Sequence, residues 1–172
     1  MGTVRAEPIA AERLVLEPLR VEHADEMAGL LADPALYAFI GGSPPTPDAV
    51  QARYERLVAG SPDPAVSWCN WVIRLREQGC LAGTVQATIG ADGGEAEIAW
   101  VVGSAWQGRG LASEAAGALV AWLRLRSVRT IVAHVHPEHR ASAGVAAAAG
   151  LTPTGERQDG EVRWRWTSPA SP

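Results

Sequence analysis

The sequence predicts a mixed α/β fold in a single domain, with one layer of mostly antiparallel sheet covered by helices. Three observations predict it. The middle of the chain holds three apolar strand-like runs separated by the tight turns Glu77-Gln78-Gly79 and Ala91-Asp92-Gly93-Gly94. After Gly110 the pattern switches to helical spacing. The chain then closes with a strand, a short helix and a hairpin. Its 172 residues fit one domain with an ample core.

The elements follow in order. Leu14-Val15-Leu16, ahead of Pro18, reads as the first strand. Ala24, Met27, Leu30 and Leu31 recur at helical spacing and stop before Asp33-Pro34. Gly41-Gly42-Ser43-Pro44-Pro45-Thr46-Pro47 is a loop, because Gly and Pro break both element types. Asp48 to Ala59 reads as a helix with Val50, Tyr54, Leu57 and Val58 on one side, ended by Ser61-Pro62-Asp63-Pro64. Trp71 to Leu75, Leu81 to Ile89 and Glu95 to Val102 form an antiparallel meander. Leu111, Ala115, Ala118, Leu119, Trp122 and Leu125 then share a helical stripe. Thr130 to His136 is a strand, and Ala141 to Ala149 a short helix with Gly150 placed to end it. Gly155 to Arg157, a turn at Gln158-Asp159-Gly160, and Glu161 to Trp166 make the last hairpin. There Val162, Trp164 and Trp166 are expected to face inward, and Glu161, Arg163 and Arg165 outward. Residues 1–167 are taken as the domain and the Ser/Pro tail 168–172 as disordered.

Composition narrows the partners. Hydrophobic residues make up 47% and charged residues 20%, which suits a globular chain. A net charge of -4 and a pI near 5.6 argue against nucleic acid, whose phosphates call for a basic face. No apolar run approaches the ~18 residues of a membrane span. The N-terminus lacks the apolar stretch of a secretory signal, and Ala6 stands where a myristoylation signal wants Ser or Thr. A cytoplasmic location is expected. Cys69 and Cys80 make neither a disulfide framework nor a metal-type spacing, so no metal is expected. They read as reduced thiols, with a pairing across adjacent strands as the alternative.

The chemistry lies in Val101-Val102-Gly103-Ser104-Ala105-Trp106-Gln107-Gly108-Arg109-Gly110-Leu111-Ala112. A buried strand ends there, and a helix begins inside a glycine-bearing turn. Successive N–H groups at a helix N-terminus, with the macrodipole behind them, make an anion cradle suited to a diphosphate. Gly108 and Gly110 carry no Cβ, so a phosphate can approach the main chain. Glycine at such a turn also serves turn geometry alone. The P-loop motif Gly-x-x-x-x-Gly-Lys-Ser/Thr is absent, and Ser113 stands where a dinucleotide fingerprint wants its third glycine.

Gln107 to Ala112 matches the Gln/Arg-x-x-Gly-x-Gly/Ala signature, and through it the chain resembles the GNAT superfamily of N-acetyltransferases. Glu97 to Val102 is similar to that family's central strand, and Ala112-Ser113-Glu114-Ala115 to its helix start. Glu12-Arg13-Leu14-Val15-Leu16-Glu17-Pro18-Leu19, Arg140-Ala141-Ser142 and Ala149-Gly150-Leu151 resemble the RimJ/RimL-like branch of ribosomal-protein acetyltransferases. The likeness spans roughly residues 10 to 166. It implies a GNAT fold of about four helices on a sheet split in a V between Glu95–Val102 and Thr130–His136. It also implies acetyl-CoA as co-substrate: pantetheine along Val101 and Val102, and the diphosphate on Gln107, Gly108, Arg109, Gly110, Leu111 and Ala112. A backbone N–H near Val102 would polarise the thioester carbonyl. An amine acceptor would then attack directly. The acceptor is expected to be a small molecule, an antibiotic or a protein N-terminus.

Direct attack calls for a base and an acid. Glu97 occupies a strand position that is often acidic in the family, and His134 lies across the V, with an imidazole that can serve as acid or base. Each also reads as an ordinary strand residue. Ser142 matches the branch's ligand of the coenzyme sulfur, against a helix-cap reading. His139 departs from the branch's Asn, which contacts pantetheine; imidazole cannot copy a carboxamide's paired donor and acceptor. Arg109 and Arg140 are candidate phosphate contacts, whereas Arg124, Arg126 and Arg129 follow a helix end and read as a solvated face. Of seven tryptophans, Trp122, Trp164 and Trp166 read as core. Trp68, Trp71 and Trp106, with Tyr37 and Phe39, are candidates to wall an acceptor pocket. A longer donor such as succinyl-CoA, or an acyl-CoA-binding module without turnover, is the alternative. A homodimer is left open.

Overall fold

In the computed structural model, which describes residues 3–39 and 41–169, eight strands form one sheet in the order β1-β2-β3-β4-β5-β6-β8-β7. The strands are β1 (Ile9–Ala10), β2 (Leu14–Pro18), β3 (Ser67–Leu75), β4 (Leu81–Ile89), β5 (Glu95–Val102), β6 (Thr130–Val135), β7 (Thr152–Gln158) and β8 (Glu161–Thr167). Four α-helices accompany them: α1 (Ala24–Leu30), α2 (Pro47–Ala59), α3 (Leu111–Arg124) and α4 (Arg140–Ala148). This is the mixed α/β architecture that the sequence predicts. Every neighbouring pair is antiparallel except β5 and β6.

That one parallel pair requires a crossover, and α3 supplies it. The α3 stripe of Leu111, Ala115, Leu119 and Trp122 buries against the inward residues of β3, β4, β5 and β6, among them Trp71, Val85, Ile98 and Ile131. Trp71 and Trp122 meet edge to face at 5.2 Å, a favoured aromatic geometry. On the opposite face α1 and α2 cover Val72 and Leu81 with Met27, Val50 and Tyr54. Burial pushes the Tyr54 hydroxyl up to about 12. Thr46 caps α2 through the Ala49 N–H, and Pro47 starts the helix, where its missing N–H costs nothing. No helix of the described residues is long and apolar enough to cross a membrane.

Several expectations are corrected. β1 precedes the first expected strand, and β3 begins at Ser67 rather than Trp71. Val58 is 53% exposed, because the last turn of α2 stands over an open groove with Trp68 and Pro64 rather than over the core. Leu125 is 84% exposed: α3 ends at Arg124, so the helical stripe no longer carries it inward. In β8, Val162, Trp164 and Trp166 are only half-buried, and so are Glu161 and Arg163. The clean inward and outward alternation expected there does not hold. Arg126 lies 3.6 Å over the Trp122 ring and pairs with Glu7, and Arg124 lies 4.8 Å over Trp166. Both stack on aromatic faces instead of forming a plain solvated face. Cys69 and Cys80 are free: Cys69 pairs with Ala87 in the ladder, while Cys80 sits by Leu75 at the far end of β3. Burial pushes the Cys69 thiol up to about 11. In the tail, the Ser168 N–H donates to the Arg129 carbonyl, and residues 170–172 lie outside the described residues.

Two glycines set how closely the end of β5 is held. A Cβ on Gly83 would lie 2.0 Å from the Val101 carbonyl oxygen, and one on Gly103 would lie 2.7 Å from Leu30. Gly83→Ala is therefore expected to destabilise the protein by roughly 3 kcal/mol, the upper range for forcing a methyl into packed structure. Urea denaturation measures this, and a loss below ~1 kcal/mol would contradict the tight contact.

Candidate active site

The loop after β5 is built as a cradle. Gly108 and Gly110 both have φ of +76°, the left-handed region that favours glycine. Gly110 is the N-cap of α3, and no side chain caps that helix. The first N–H groups of α3 are thus left for an external acceptor. Nothing lies within 4 Å of the Cβ position of Gly108, so the loop is open where an anion would approach. The Gln107 side-chain amide donates to the Val102 carbonyl at 3.0 Å and ties the loop to the strand.

β5 and β6 pair only at Glu95–Thr130, Ala96–Ile131 and Glu97–Val132. Beyond Glu97 no pairing joins the two strands, and the sheet opens into a V. Gly103 donates to the Ala82 carbonyl on the β4 side. By strand alternation, Val102 directs its N–H and C=O the other way, into the V. The V widens toward the C-terminal ends of both strands, where Val102, the cradle and the start of α4 gather.

Glu97 and His134 come together across the V. His134 Nδ1 lies 2.9 Å from Glu97 Oε1. Their side-chain exposures differ, 53% for Glu97 and 9% for His134, so the carboxylate faces solvent and the imidazole stands behind it. A carboxylate only accepts hydrogen bonds, so Nδ1 carries the hydrogen. His134 Nε2 is buried without a partner among the described residues. Glu95 extends the row by pairing with Arg163 at 3.4 Å.

At the start of α4, Ser142 Oγ lies 3.4 Å from His139 Nε2. His139 is the N-cap, and no side chain caps this helix, so the cap reading of Ser142 is corrected. Phe39 stacks on His139 at 4.3 Å and tilts against His136 at 5.3 Å. The loop after α1 thereby touches the loop after β6. Trp71 is fully buried and does not wall a pocket on this face. Trp68, one pleat apart, sits on the opposite side of β3 and is half-exposed. Trp106 packs on the α3-side core with Arg109 5.2 Å over its ring. Tyr37 donates to the Leu31 carbonyl. Arg140 is exposed at the first turn of α4.

Sequence reasoning did not assign Arg13 and Glu114 to the site. Arg13 donates from its main chain and from Nε to the Glu114 carboxylate, and from Nη1 to the Arg109 carbonyl, each at 2.7 Å. The available signal was an acidic residue in the first turn of α3, where it disfavours a bound anion unless a cation answers it.

The family model for an acetyltransferase (GNAT) domain matches residues 13–152. No curated protein matches the sequence at a significant level. Among solved structures, an acetyltransferase from Agrobacterium tumefaciens str. C58 is 27% identical, with 94% of this chain and 95% of that one covered and a TM-score of 0.74. RimL, a ribosomal-protein alpha-N-acetyltransferase solved with coenzyme A, is 17% identical, with coverage of 94% and 98% and a TM-score of 0.78. The aminoglycoside acetyltransferase AAC(6')-Ib, also solved with coenzyme A, is 20% identical, with coverage of 90% and 94% and a TM-score of 0.73.

Two predictions follow from this geometry. Ser142→Ala is expected to leave stability within roughly 0.5 kcal/mol, short of the ~1 kcal/mol that a lost cap costs; thermal unfolding measures it, and a cap-sized loss would restore the cap role. The second concerns pH. Burial first, and then the charge of Arg20 for His23 or of His136 for His139, holds both imidazoles below the ordinary value of 6.5. The unfolded chain therefore takes up these protons first as pH falls. Their contribution is whole above 6.5 and is lost as pH drops through the lowered folded values. The urea midpoint should fall between about pH 7 and pH 5, by less in His139→Asn; a flat midpoint contradicts the assignment.

Proposed function

The chain belongs to the GNAT acetyltransferase family, and on that premise we propose that it transfers the acetyl group of acetyl-CoA directly to a primary amine within a ternary complex. One observation carries the proposal. The β5–β6 pairing stops at Glu97–Val132, so the slot between these strands runs from the Glu97–His134 pair toward the end of β5, where the Gly108–Ala112 cradle begins. A thioester whose diphosphate rests on the cradle lies with its pantetheine arm along Val101 and Val102. Its acyl carbon then faces the open side of the sheet.

The residues divide the work by position. Main-chain N–H groups of Gly108 to Ala112 hold the diphosphate, favoured by the α3 dipole. The Val102 N–H, directed into the slot, meets the thioester oxygen as charge builds on it. Glu97, the exposed member of its pair, takes the proton from the attacking amine. His134 fixes the carboxylate's orientation from behind. Ser142 offers its hydroxyl to the departing sulfur, with His139 as its partner. The acceptor meets the open strip of sheet between Glu97 and Trp68, which includes Thr88 and Gln86. Solved relatives of this fold include enzymes named for a ribosomal protein and for aminoglycosides. The acceptor class here is accordingly an amine on a small molecule or a protein N-terminus. We place the enzyme in the cytoplasm, where Cys69 and Cys80 stay reduced.

Release of free thiol from acetyl-CoA in the presence of a panel of amines tests the proposal. At least one primary amine should accelerate release well above the hydrolysis background. With that amine, Glu97→Gln should lower kcat by roughly 10²–10⁴-fold while coenzyme affinity barely moves. A near-normal kcat in the folded variant removes Glu97 from the chemistry.

A further inference from the structure

Arg13 stands one residue before β2, far in sequence from the loop it touches, and the reaction described above gives it no task. Its main-chain N–H and its Nε hold the two oxygens of Glu114, while Nη1 holds the Arg109 carbonyl. Nη2 lies 3.3 Å from the point where a Cβ on Gly110 would stand. We propose that Arg13 is a positioning residue for the diphosphate cradle, acting through the Arg109–Gly110 peptide and through Glu114. This inference rests on the coenzyme reading of the Gly108–Ala112 loop.

Two physical effects carry it. In a trans peptide the carbonyl and the following N–H point in opposite directions. Holding the Arg109 carbonyl on the Arg13 side therefore turns the Gly110 N–H away from Arg13 and into the cradle. Glycine at 110 has wide conformational freedom, so this peptide would otherwise sample orientations that withdraw the donor. The second effect is charge. Glu114 lies in the first turn of α3, where its carboxylate would repel a diphosphate. Arg13 meets both carboxylate oxygens and cancels that field while keeping the side chain turned from the loop. The pair is partly exposed, 48% for Arg13 and 16% for Glu114, so as a bare ion pair it adds little stability. Its directional bonds to one carbonyl and one carboxylate suit orientation better than fastening.

Calorimetric titration of the full chain with coenzyme A, and with pantetheine at millimolar concentration, separates the possibilities. Pantetheine lacks the diphosphate together with the adenosine 3′-phosphate, so the ratio of the two dissociation constants reports that whole portion, and its change in an Arg13 variant reports the part that runs through the cradle. In Arg13→Met that ratio should shrink roughly 10- to 100-fold, the usual worth of charge-assisted hydrogen bonds at a binding site. Adding Glu114→Gln to Arg13→Met should restore part of the loss, because no bare carboxylate then faces the phosphates. Arg13→Lys should recover little, since one ammonium cannot span both partners; it also carries the test if the methionine variant does not fold. An unchanged ratio in a folded variant, or equal losses with both ligands, overturns the inference and leaves Arg13 as a tie between β2 and α3. Equal affinities for the two ligands in the unaltered protein would instead defeat the cradle reading itself, and this inference with it.

Discussion

The molecule depends on one parallel pairing in a sheet that is otherwise antiparallel. Two parallel neighbours cannot be joined by a hairpin, so the chain must leave the sheet after β5 and return to β6 through a helix. That crossover places the N-terminus of α3 beside the C-terminal end of β5. The pairing is also short, ending at Glu97–Val132. Backbone groups of β5 that face the slot beyond that point have no strand to meet; Gln107 takes the Val102 carbonyl, and the Val102 N–H is left for a partner from outside the chain. Helix terminus, strand end and opened slot thus share one topological origin. The cradle glycines refine a geometry that the connectivity has already imposed.

Much of this was legible in the residues because each signal was local. The turns at Gly79 and Gly93 separated the meander strands, and the helical period after Gly110 announced the crossover. What the sequence could not supply were contacts between distant segments. Glu97 and His134 were candidates by strand position alone, and only the V shows that they meet, at 2.9 Å. Arg13 and Glu114 lie 101 positions apart, and no period or motif links them. Phe39 reached His139 through a loop whose path depends on α1 packing against Gly103. The tryptophans misled for a different reason. A large aromatic is equally at home in a core or a pocket, and only the strand face separates buried Trp71 from half-exposed Trp68.

The open face of β5, β6 and β8 carries a row of paired polar side chains, Glu95 with Arg163 and Glu97 with His134. Glu97 and His134 stand on adjoining strands, while Arg163 on β8 reaches across β6 to Glu95 on β5. Arg163 also reaches Glu156 on β7, which extends the row to the sheet edge. Glu95, Glu97 and Glu156 set three carboxylates against the one guanidinium of Arg163 in this row, and Glu97 is the carboxylate beside the slot.

The contacts around Gly83 and Gly103 also have a mechanical consequence. With Val101 against one glycine and Leu30 against the other, the end of β5 is fitted closely to β4 and to α1. The other three strands, β6, β8 and β7, meet β5 in three register pairs, and α3, the Glu95–Arg163 and Glu97–His134 pairs and the Phe39 ring bridge the rest. A change in the aperture of the V therefore meets close backbone contacts on its β5 lip and side-chain contacts on its β6 lip.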